Sequence, residues 1–142
     1  MPVSLSIDEI HGYMDSRPGW IILTTIGQDG MPHSVPIGYF RLGDDVYIGC
    51  RDNTQKIRNI ERNPNITVML QSGGSMQDIK GVMIQGTATV VREPGEFLRL
   101  AREAARWRGM PEAQWPTEAR PGAAYIRVRP RKYISWDYSR SE

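Results

Sequence analysis

At 142 residues, with 39% hydrophobic and 24% charged, the chain is long enough for one core and too balanced in composition to be disordered. A net charge of +2 argues against an extended nucleic-acid surface, which needs many more uncompensated cations. The single cysteine, Cys50, excludes an intrachain disulfide and a cysteine metal cage and fits a reducing cytoplasm.

Ser6-Ile7-Asp8-Glu9 forms a capping box and predicts a short helix running to about Met14, ended by Arg17-Pro18-Gly19. Ahead of it there is no basic stretch followed by an apolar run, so no signal peptide is expected. Trp20 to Ile26 is β-branched and apolar, a buried strand. Asp29-Gly30 supplies a hairpin turn, and Pro32 to Arg41 returns as the second strand. Pro36 inside that strand removes a ladder donor and marks an edge, a bulge or a ligand contact. Leu42 to Asp45 turns the chain into a third strand, Val46 to Cys50.

Asn53 or Thr54 then caps a helix from Gln55 to Arg62, with Ile57 and Ile60 inward and Asn63-Pro64 as the stop. Ile66 to Gln71 is a fourth strand, and Gly81 to Arg92 is a long one interrupted by Gly86. Glu93-Pro94 opens a third helix, with Phe97, Leu100, Ala101, Ala104 and Trp107 at helical spacing. Gly109 to Gly122 is irregular. Ala123 to Val128 and Tyr133 to Trp136 are the last strands, hinged at Arg129-Pro130. Six or seven antiparallel strands with tight turns and three short helices make a mainly β chain that folds as a small, nearly closed barrel. One domain over residues 1–142 is expected.

The third strand and second helix hold the chemical signal. Arg51, Lys56 and Arg58 surround a helix start, where the N–H groups already carry partial positive charge and ordinarily attract carboxylates. Cations gathered there repel unless an anion sits among them, and a phosphate is the natural occupant. Arg51 offers bidentate contact, Lys56 a mobile charge and Thr54 a hydroxyl donor. The plainer alternative is a solvated basic face.

Elsewhere, nucleophile motifs, phosphate loops and dinucleotide-binding glycine patterns are absent. His11 and His33 lack partners at ligand spacing, so no metal site is expected. No catalytic residue is identified, which is compatible with an enzyme whose cofactor carries the hydride. No segment is apolar for roughly 18 residues, so no transmembrane helix is expected.

The order of hairpin, third strand, Thr54-Gln55-Lys56, helix, Asn63-Pro64 and apolar strand resembles the pyridoxamine 5'-phosphate oxidase-like split-barrel family. The likeness spans about residues 18–92, with weaker agreement over Arg129 to Trp136. It implies a six- to seven-stranded antiparallel split β-barrel of FMN-binding type, working as a cytoplasmic homodimer with its cofactor sites at the subunit interface. Lys56 would hold the cofactor phosphate with Thr54, Gln55 and Arg51 beside it. Ser34, Val35 and Pro36 would lie along the ring or ribityl chain, and Gly49 and Cys50 would pass the ring from the neighbouring strand.

The implied function is an FMN-dependent oxidoreductase transferring hydride to or from a small substrate. The alternatives are an F420-dependent reductase or a non-catalytic flavin carrier or sensor. Lys80-Gly81 stands where pyridoxamine 5'-phosphate oxidases proper carry Arg-Gln, and Trp136-Asp137-Tyr138 replaces their terminal Arg-x-His, which points away from vitamin B6 oxidation. Neither nucleic acid nor membrane is an expected partner.

Overall fold

The computed structural model describes residues 2–141. In chain order the elements are β1 (Pro2–Val3), α1 (Ile7–Asp15), β2 (Ile21–Ile26), β3 (Pro32–Ile37), β4 (Phe40–Leu42) and β5 (Asp45–Arg51). There follow α2 (Gln55–Arg62), β6 (Asn65–Ser72), β7 (Lys80–Val91), α3 (Pro94–Trp107) and β8 (Ala123–Ser141). Seven strands pair antiparallel in the order β3-β2-β6-β7-β8-β5-β4, and β1 adds to β8. The two edge strands, β3 and β4, are consecutive in sequence and separated only by Gly38 and Tyr39. Two residues span roughly 7 Å, so the sheet must curl until its ends almost meet. That is the nearly closed barrel expected from the strand pattern, in the split form that the family resemblance implies.

Three details differ from the sequence-based expectation. The strand expected over Pro32 to Arg41 breaks at Gly38-Tyr39, because the chain crosses the split there. Ala123 to Ser141 is one continuous strand rather than two. A bulge absorbs Arg129-Pro130: Gln85 pairs with Lys132 and Gly86 with Pro130, leaving Arg131 without a register partner. Thr54 stands at the N-cap of α2, but its hydroxyl donates to the Arg51 carbonyl at 3.2 Å rather than accepting from the helix.

Alternation puts Ile21, Leu23 and Thr25 of β2 inward, where they meet Val68 and Leu70, Val82 and Ile84, and Ile126 and Val128. Each fully buried aliphatic side chain stabilises the fold by about 1.5–3 kcal/mol. α1 contributes Ile10 and Met14 to this core and α2 contributes Ile57 and Ile60. The capping box on α1 forms in full: Ser6 accepts from the Glu9 amide while Glu9 accepts from the Ser6 amide. A second cluster lies under α3, where Phe97 packs on Tyr125 at 4.8 Å and Phe40 stacks on Tyr47 at 5.1 Å. Pro36 sits on β3, an edge strand, so its missing N–H costs no central ladder bond.

Candidate functional site

Helix α2 begins without a side-chain cap and without an acidic residue in its first turn. Its leading N–H groups are therefore left to solvent or to a ligand. Among the described residues, neither Arg51 nor Lys56 has a carboxylate within salt-bridge distance. The nearby acids are already engaged: Arg92 binds Asp52 at 2.7 Å and Glu61 at 3.2 Å. Arg58 is not free in the same way. It folds back over the turn, donating to the Asn53 carbonyl at 3.0 Å and to Gln55 Oε1 at 3.0 Å.

What holds this helix start in place is a polar chain that the sequence pattern did not reveal. Asn59, 1% exposed, donates to Thr25 Oγ1 at 3.0 Å. Its carbonyl oxygen accepts from Gln55 Nε2 at 2.8 Å and from Arg62 at 2.9 Å. Burial of Asn59 between Ile57 and Ile60 makes it look like one more core position of an amphipathic helix; only the packing on β2 shows its hydrogen-bonding role.

The expected site residues fall on both sides of the β5–α2 turn. Gly49, Cys50 and Arg51 line a cleft of about 880 Å³ under α3, which Tyr125 and Arg120 also line. Gln55 lines a separate cleft of about 500 Å³ with Pro32, His33 and Asn59. Thr54 and Lys56 line neither cleft and stand at the helix start, Thr54 as N-cap and Lys56 in the first turn. Ser34 and Pro36 are exposed on β3, Ser34 hydrogen-bonded to Thr24 at 2.8 Å, whereas Val35 turns inward against the core. Gly49 is exposed, and a Cβ placed on it would stand 3.1 Å from the Tyr125 ring. Burial pushes the Cys50 thiol up, with Lys56 pulling the other way, so the thiol stays protonated near neutrality. Cys50 is thus a wall group rather than a thiolate nucleophile.

Further residues of the cleft were not singled out by motif: Phe97 and Arg108 from α3 and its end, Arg120 from the irregular segment, and Tyr125 from β8. Trp136 lies over Gly81, its register partner in β7. Among the described residues no group of three or more His, Cys, Asp or Glu is gathered for a metal, and no helix is long and apolar enough to cross a membrane.

No curated protein matches the sequence. Solved structures match it throughout. A conserved hypothetical protein from Mycobacterium tuberculosis is 24% identical with a TM-score of 0.82, covering 96% of this chain and 87% of its own. A protein named F420 reductase is 20% identical with a TM-score of 0.63, covering 83% of this chain and 90% of its own. The heme storage protein HutZ from Vibrio cholerae is 12% identical with a TM-score of 0.68, covering 96% and 100%. These likenesses concern the fold. The sequence model of the pyridoxamine 5'-phosphate oxidase family matches residues 14–137, nearly the whole barrel with α2 and its flanking strands, and the chain belongs to that family.

Proposed function

We propose that this chain is a single-domain, cytoplasmic, flavin-dependent oxidoreductase that binds FMN and passes hydride to or from a small substrate. The carrying observation is the bare start of α2, with Arg51 and Lys56 beside it and, among the described residues, no carboxylate to neutralise them. The same residues fit a phosphate monoester by charge, by donor type and by the absence of a competing cap. Gly49, exposed and lacking a side chain, suits the close approach of a flat ring to β5 beside Cys50, and the backbone of Ser34, Val35 and Pro36 on the exposed edge strand β3 is the proposed contact for the rest of the cofactor. Bound flavin would supply the two-electron chemistry, and the protein would supply position, charge and exclusion of water.

F420 is the alternative cofactor, since the fold neighbours include a protein of that name. Its acidic tail would need further free cations; Arg58 and Arg62 at the helix are already hydrogen-bonded, to Asn53, Gln55 and Asn59.

A homodimer is proposed from the outer face of the sheet. Pro36, Ile22, Met69, Met83 and Ile134 stand opposite one another across five adjacent strands, a partly exposed apolar row that a second copy could cover.

Titration with FMN and with F420, followed by absorbance, tests the reading. FMN should bind tightly, and Lys56→Ala should weaken it by roughly 10- to 100-fold, the worth of a charge-assisted hydrogen bond. Unchanged FMN affinity in that variant would overturn the phosphate assignment. Tight FMN binding with no acceptor reduction on supplying reduced cofactor would favour a carrier or sensor over an enzyme.

A further inference from the structure

The 880 Å³ cleft does not end at Tyr125. Gly49, Tyr125 and Arg108 also line a second hollow of about 280 Å³, and Arg108 with Trp20, Gly38, Tyr39 and Trp107 lines a third of about 330 Å³. The three adjoin along these shared residues, and Arg108 lines all of them. One end is aromatic. Tyr39 and Trp107 meet at 5.8 Å with their rings tilted by 59°, and Trp20, 71% exposed, stands over Gly38, whose missing side chain leaves the floor open. The other end adds Arg120, while Arg108 lines all three hollows and Arg17 the aromatic one; all three are exposed and, among the described residues, without carboxylate partners.

Arg108 is not needed to satisfy the end of α3. Arg17 already donates to the Trp107 carbonyl there at 3.4 Å. Asp52, in the cleft that Arg120 lines, is neutralised by Arg92, which leaves Glu118 as the one unpaired acid along it among the described residues. The roof over the Arg120 end is held rather than loose. Trp115 sits beside both the Arg102 and Arg106 guanidinium groups at 5.2 and 4.9 Å, and donates to the Met110 carbonyl at 2.8 Å. Arg102 also donates to the Pro116 carbonyl at 3.0 Å. Adjoining hollows with aromatic walls and, in Arg108, an unpaired guanidinium reaching the same space match a flat ring bearing an anion.

We propose that these hollows bind an aromatic or conjugated carboxylate, its ring among Trp20, Tyr39 and Trp107 and its carboxylate on Arg108, with Arg120 further along. As an assignment of substrate class this rests on the flavin reading, because Gly49 and Cys50, the proposed ring contacts, line the same cleft. The binding itself can be measured separately. The probe is 2-naphthoate, with neutral naphthalene-2-carboxamide as its control, titrated calorimetrically into the protein with and without saturating FMN.

The expected result is saturable 2-naphthoate binding that persists in FMN and is about tenfold tighter than carboxamide binding. Arg108→Gln should abolish that preference while leaving carboxamide affinity unchanged, and Trp20→Leu should weaken both probes. Lys56→Ala should leave naphthoate binding intact. Equal affinity for the two probes, an Arg108→Gln variant that keeps the preference, or unaltered binding of both probes to Trp20→Leu would overturn the proposal. Displacement of naphthoate by FMN would make these hollows the cofactor's own ring site and would overturn the substrate assignment. Failure to bind FMN with naphthoate binding retained would sink the flavin reading alone.

Discussion

Asn59 of α2 donates to Thr25 of β2 at 3.0 Å, with the two residues 1% and 0% exposed. This bond ties the start of the basic helix to the barrel wall, because Gln55 and Arg62 both lean on the other end of the same amide. Replacing Asn59 with Ala removes three hydrogen bonds and leaves the Thr25 hydroxyl without its partner in the core. A loss of about 2 kcal/mol is expected in urea unfolding. Thr25→Val and the double variant complete a cycle, in which a coupling of about 1 kcal/mol is expected and additive losses would rule the tie out.

Gly81 is a packing requirement. A Cβ there would stand 2.6 Å from the Trp136 ring and 2.7 Å from the Leu70 carbonyl. Gly81→Ala should cost about 1–3 kcal/mol by overpacking. The ring contact can be relieved by Trp136→Ala, but the backbone contact cannot. Stability of the double variant should therefore stay below that of Trp136→Ala alone, as read from thermal melts.

Acid stability has a local contributor at the start of α1. The Ser6 amide, and then Arg140, hold the Glu9 carboxyl down at about 2. A depressed carboxylate stabilises the fold fully above its unfolded value of 4.5 and loses that contribution as pH falls toward 2. The difference in urea midpoint between the native chain and Glu9→Gln should thus be constant above pH 4.5 and shrink to nothing near pH 2. A difference that grows on acidification would contradict it.

Met83 lies near the middle of the outer apolar row, between Met69 and Ile134. If a second copy covers that row, Met83→Asp places an unpaired charge in the interface and should shift sedimentation from dimer to monomer without unfolding the barrel. A native chain that sediments as a monomer at micromolar concentration would remove the interface proposal, whatever the variant does.

Most of the fold was legible because its signals are local. The strand alternation of Ile21 to Ile26, the capping box at Ser6 and the Asn63-Pro64 stop each act over a few residues, and α2 spans Gln55–Arg62 as the pattern predicts. What escaped depends on partners far away in sequence. Nothing near Pro130 says that Gly86 will face it across a bulge, so the strand through it looked like two. Likewise, nothing near Gly38 says that the sheet splits there. For the candidate site, Arg51 and Lys56 stood out because cations at a helix start are locally anomalous. Arg108 was legible only as part of a segment able to cover a pocket, and Arg120 and Tyr125 looked like ordinary surface and core residues until α3 and the irregular segment folded over β5.

By itself the sequence determined a mainly β, nearly closed antiparallel barrel and a concentration of cations at the start of α2, since periodicity, turn residues and local charge need no knowledge of distant contacts; the split form came from the family resemblance. Tertiary structure alone decided that Asn59 and Thr25 brace that helix. It also decided that Thr54 turns its hydroxyl away from the helix amides, and that the hollows lined by Arg120 and by Trp20 share Arg108. Those outcomes depend on where the curling sheet brings residues far apart in the chain, and that follows from burying a single closed core rather than from any local stretch of it.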